Sequence, residues 1–123
     1  MTIQEVYEKI GGNYDHAVQI MRMDKMISKY LLKLNDSDIC DKLREAAGPM
    51  DPAALFESAH AMKGVCANLG LDDLAAAVSE VTEEFRPGSG RKLSDDEVKA
   101  KLDDIFAKFE TTKAGIEEYK ASL

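Results

Sequence analysis

The chain has 123 residues, 45% of them hydrophobic and 32% charged, with no Trp, which suits one domain with a core of its own and is too apolar for a disordered chain. Its net charge of −7, from 23 acidic against 16 basic residues, argues against a nucleic-acid binder and against a basic membrane-surface helix. No apolar stretch approaches the roughly 18 residues a membrane span needs, and no basic segment followed by an apolar run opens the chain as a secretory signal would.

Apolar residues recur at spacings of three and four throughout, the helical period, and nothing reads as a strand. Ile3, Val6, Tyr7 and Ile10 make a short amphipathic helix that Gly11-Gly12-Asn13 stops. A second segment opens near Asp15 and carries Ala17, Ile20 and Met21. Asp24 is expected to cap a third, with Met26, Ile27, Tyr30, Leu31 and Leu34 facing inward up to a break at Asn35-Asp36-Ser37. Ile39, Cys40, Leu43 and Ala47 share the next helical face, which ends at Gly48-Pro49.

Asp51-Pro52 is a strong start signal, Asp at the cap and Pro in the first helical position. The helix it opens runs to about Leu69 and stops at Gly70, with Leu55, Ala59, Met62, Cys66 and Leu69 as its buried seam. From Leu71 or Asp72, Leu74, Ala77, Val78, Val81 and Phe85 form the inner face of another helix. Pro87-Gly88-Ser89-Gly90 is a loop. Ser94 with Glu97 is a capping box, and Val98, Leu102, Ile105, Phe109, Thr112, Ile116 and Tyr119 form a long final seam. The expected fold is all-α: an antiparallel up-down four-helix bundle with additional short N-terminal helices, residues 1–123 forming a single domain.

Cys40 and Cys66 form neither a C-x-x-C motif nor a zinc spacing, so they read as buried free thiols in a reducing, cytoplasmic setting. The opening Met makes a freestanding protein the simpler expectation.

The informative stretch is Ala59 to Gly70. At about 100° per residue, His60 points away from the buried seam, with Phe56, Lys63, Gly64 and Ala67 on its side. Helical side chains lean toward the N-terminus, so a side chain at 64 would cover His60; Gly64 leaves it open, despite costing about 1 kcal/mol relative to Ala. A merely tolerated glycine or a close helix crossing is the other explanation. Lys63 leans over the same turn and is placed to meet an anion on the imidazole. Metal binding is disfavoured: Glu57-x-x-His60 is a single Glu-x-x-His, and a helical site wants a second copy, which His16 does not supply.

The run His60-Ala61-Met62-Lys63-Gly64-Val65-Cys66-Ala67-Asn68-Leu69-Gly70 resembles the signature of histidine-containing phosphotransfer (HPt) domains: His, an apolar residue two later, Lys-Gly, then an apolar-Gly pair ending the helix. Val65 stands where smaller residues are common, and Met62 replaces the commoner Leu. The resemblance implies that His60 accepts a phosphoryl group on Nε2 from a receiver-domain aspartate or hybrid histidine kinase and passes it to another receiver in two-component signalling. Lys63 would steady the phosphoryl oxygens and Gly64 admit the partner. Thr82, with Ser79 and Glu83 as alternatives, would orient the imidazole from the next helix, and Arg86 would add a second positive charge.

Docking would use Phe56 and Ala67, with Ile3 and Tyr7 equally readable as packing residues. No P-loop, kinase glycine loop or acidic metal cluster appears. The chain is therefore expected to be a phosphocarrier and no enzyme, binding no cofactor itself, with Mg²⁺ in the receiver. A monomer is expected, without nucleic-acid or membrane partners. A phosphorylation-independent helical adaptor that binds receiver-like partners is the alternative.

Overall fold

The computed structural model describes residues 1–123. Seven helices follow one another: α1 (Ile3–Ile10), α2 (Tyr14–Met21), α3 (Asp24–Asp36), α4 (Ile39–Ala47), α5 (Pro52–Asn68), α6 (Asp72–Glu84) and α7 (Asp95–Ala121). None is long and apolar enough to cross a membrane.

The ends are set by local chemistry. The Asp51 carboxylate accepts from the Ala53 N–H ahead of Pro52 at the start of α5, and Ser94 with Glu97 forms the reciprocal capping box of α7. Thr2 with Glu5 forms a second such box on α1, from a Thr-x-x-Glu spacing. Asp24 is not a cap: Met23 takes that position, and Asp24, in the first turn, accepts from the Tyr14 hydroxyl at 2.5 Å.

Helix α5 packs between α4 and α6, α6 packs on α7, and α7 returns against α3 and α4. Polar pairs fix the direction of that return. Ser28 meets Tyr119, Asn35 meets Glu117 and Arg44 meets Glu110. Numbers rising along α3 and α4 meet numbers falling along α7, so the packing is antiparallel. The bundle is the expected all-α fold, with α1 lying on α7 and α2 against α3 and α5.

One continuous core runs through it. The α5 seam is fully inside, and so is every residue of the α7 seam. Both cysteines are buried free thiols, and burial pushes the Cys66 thiol up to about 12. Met26 and Tyr30, expected inside, are half-buried and line a groove instead.

The N-terminal helices are tied to the end of α5. The Tyr7 hydroxyl donates to the Leu69 carbonyl at 2.6 Å, and the Asn13 N–H donates to the Gly70 carbonyl at 2.8 Å. Gly70 has φ +67°, and a Cβ there would lie 2.6 Å from the Asn13 carbonyl oxygen and 2.8 Å from the Ala17 nitrogen. Both the left-handed conformation and the close backbone approach therefore require glycine. Ile3 and Tyr7 are buried by this arrangement. Of the two expectations for them, packing is correct and docking is not, because neither presents a surface to a partner.

Candidate functional site

His60 lies mid-way along α5, on the face opposite a seam with no measurable exposure at Leu55, Ala59, Met62 and Cys66. Its ring is exposed to solvent. One turn earlier on the same helix, half-buried Phe56 stacks on it, with ring centroids 5.5 Å apart and planes 17° apart. Phe56 thus covers one face of the imidazole.

One turn later, a Cβ built on Gly64 would meet nothing within 4 Å. No neighbouring helix crosses there, so close packing does not account for this glycine. Ala67, a turn further on, is half-buried.

Charge is delivered from α5 and α6 together. Lys63 Nζ lies 3.8 Å from Glu83 Oε1 across the two helices. Arg86 grips the same carboxylate with two parallel bonds, Nε to Oε2 and Nη2 to Oε1, both 2.8 Å. The Arg86 guanidinium also sits 5.3 Å from the Phe56 ring centroid. Arg86 hydrogen bonds hold the Glu83 carboxyl below the ordinary glutamate range. Desolvation opposes them, and the charges of Arg86, Lys63 and His60 add to them. His60, Phe56, Lys63, Glu83 and Arg86 are therefore one cluster.

Thr82 does not belong to it. The residue has no measurable exposure, and its hydroxyl donates to the Val78 carbonyl at 3.0 Å. It lies four residues after Val78 and so shares that buried face; its neighbour Glu83 points outward beside His60. The expectation that Thr82 orients the imidazole is corrected accordingly. The Glu83–Arg86 pair was missed as a unit, although its i, i+3 spacing is a recognisable helical ion-pair signal.

The other histidine is placed differently. His16 Nδ1 lies 2.7 Å from Asp72 Oδ1, and the Asn13 amide donates to Asp72 Oδ2 at 3.1 Å. It braces the junction of α2 with α6. No group of three or more His, Cys, Asp or Glu side chains is arranged to hold a metal ion.

The family model described as the Hpt domain matches residues 34–112. The chain belongs to the Hpt domain family. Membership implies histidine phosphotransfer within a phosphorelay and interaction with receiver domains. The matched Hpt region contains α4, α5, α6 and most of α7, which include the whole His60 cluster. No curated protein and no solved structure matches the chain.

Proposed function

We propose that His60 is the phosphoacceptor of a phosphorelay intermediate, charged by a receiver-domain aspartyl phosphate or a hybrid kinase and discharged to another receiver. The observation that carries this reading is the exposed imidazole stacked on Phe56, with open space over Gly64. Nε2 of the neutral ring, with its proton on Nδ1, attacks phosphorus in line. The N–P bond forms as the P–O bond to the donor aspartate breaks, leaving a free carboxylate. The ring then carries the phosphoryl group and a positive charge until Nδ1 gives its proton to water. Return to an acceptor aspartate reverses these steps.

Such a transfer needs positioning and charge stabilisation more than covalent chemistry from the protein. Lys63 and Arg86 supply positive charge here, Gly64 supplies access, and the receiver would bring Mg²⁺. The chain acts as a phosphocarrier in place of an enzyme. Two buried free thiols favour a reducing compartment, so we place it in the cytoplasm.

Docking would spread from Phe56 and Ala67 along α5. A groove of about 660 Å³ opens beside Val65, lined by Ile20, Met21, Met26, Tyr30 and Leu69 among others. Val65 is five residues beyond His60, about 7.5 Å along the helix axis and about 140° around it, so the groove lies on a different face of α5 from the imidazole. This apolar surface would serve as a flanking contact for a receiver helix, away from the His60 face itself.

The test uses phosphorylated receivers with Mg²⁺ and this chain, followed by assay for an acid-labile, alkali-stable label. Wild type should take up label and His60→Gln none. Receivers that bind without transferring label would favour the adaptor reading.

A further inference from the structure

Glu83 occupies an unusual position for a phosphoryl-accepting surface. It is an exposed acid set between Lys63, one turn along α5 from His60, and Arg86, which lies over the Phe56 ring, bonded to Arg86 through both oxygens and paired with Lys63 at 3.8 Å. With His60 unmodified, the charges that would hold a phosphoryl group are therefore already engaged. A phosphoryl group on His60 brings up to two negative charges and three acceptor oxygens to the same place. It competes with Glu83 for Lys63 and Arg86, and it repels the Glu83 carboxylate.

We propose that Glu83 is an internal stand-in for the phosphoryl group. It holds Lys63 and Arg86 in place while His60 is free, releases them when His60 is phosphorylated, and thereby keeps the phosphohistidine high enough in energy to be passed on. The proposal rests on His60 being the acceptor and concerns the balance of the relay. Glu83 is a positioning residue: it acts on the phosphoryl group through two other side chains.

Two consequences separate this role from simple helix-to-helix bracing. Removing the carboxylate charge frees the cations before transfer and removes repulsion after it, and both effects favour the phosphorylated form. A bracing residue, when lost, lowers the melting temperature without drawing phosphoryl toward His60. The exchange of partners also moves Arg86, whose side-chain N–H is a spectroscopic reporter.

The experiment measures the equilibrium of phosphoryl between one receiver and this chain, for wild type, Glu83→Gln and Glu83→Asp. Glu83→Gln should shift it toward His60 by about twofold to fivefold, the range expected for an exposed ion pair. Glu83→Asp, which keeps the charge, should remain close to wild type. In parallel, His60 is loaded directly with phosphoramidate, and the Arg86 Nε–H resonance should move in wild type. An unchanged or opposite equilibrium shift in Glu83→Gln, with wild type still labelled on His60, overturns the stand-in role and leaves the relay intact. An Arg86 resonance unmoved by phosphorylation does the same. A wild-type chain that accepts no phosphoryl group at all removes both.

Discussion

The imidazole of His60 lies parallel to the Phe56 ring, 5.5 Å away by centroid, one helical turn along α5. The spacing is the i, i+4 relation that brings side chains together on a helix, so the stack is written into the sequence order Phe56-Glu57-Ser58-Ala59-His60. Arg86 reaches the same Phe56 ring from just beyond the end of α6, which makes the phenyl group a joint between His60 and a cation.

Replacing Phe56 with Ala should therefore slow transfer while leaving the core in place, since the side chain is only half-buried. Aromatic stacking of this kind is worth about 0.5–1.5 kcal/mol, so transfer should fall by about twofold to tenfold. Single-turnover transfer from a phosphorylated receiver measures it. Unchanged kinetics would remove Phe56 from the site.

Gly64 offers a sharper contrast between access and stability. Nothing lies within 4 Å of a Cβ there. Gly64→Gln should fold with an undiminished melting temperature, because glutamine is a better helix former than glycine. Its side chain leans over His60, and receiver-dependent transfer should fall by about tenfold or more, equivalent to 1.4 kcal/mol of lost approach. A sharp fall in melting temperature would show that the glycine serves packing.

Gly70 should behave in the opposite way. Its positive φ and its contacts with the backbone of Asn13 and Ala17 leave no room for a methyl group. The left-handed conformation alone costs a non-glycine residue about 1–2 kcal/mol, and the clash adds to it. Gly70→Ala should lose at least about 2 kcal/mol in urea unfolding. A loss below half of that would mean that α2 moves aside without penalty.

Glu84 anchors the loop that leads into α7, accepting from the backbone N–H groups of Lys92 and Leu93 and from Arg91 Nε at 3.0 Å. Burial raises its carboxyl, but hydrogen bonds from Leu93, Arg91 and Lys92 outweigh that and leave it below the ordinary 4.5. A lowered folded-state value stabilises the protein fully above the ordinary value, and the benefit disappears as pH falls through the folded value. Glu84→Gln should therefore be less stable than wild type at about pH 7, with the gap narrowing toward about pH 3. Denaturant midpoints across that range test it; a gap that widens in acid would reverse the sign.

The bundle was legible because its seams are strictly periodic. Leu55 to Leu69 and Val98 to Tyr119 repeat at three and four, and each repeat is buried in the fold. His60 was legible for the same reason: once the seam is fixed, its direction follows. Pairings across helices were not legible. The rotation of α6 relative to α5 decides whether residue 82 or 83 faces His60, and one residue is about 100° of turn. Val78 held the missing clue, because Thr82 shares its buried face and back-bonds to it. Tyr7 and Ile3 were ambiguous because an amphipathic helix of eight residues does not announce its partner; the Tyr7 bond to Leu69 does.

Of the two histidines, His60 and not His16 is proposed to carry the phosphoryl group. Phosphorus–nitrogen correlation NMR on ¹⁵N-histidine-labelled protein, charged by a phosphorylated receiver, reads this directly. One phosphoryl group should be found bonded to Nε2 of His60, with His16 retaining its bond to Asp72. Phosphorus bonded to His16, or undiminished uptake in His60→Gln, would contradict it.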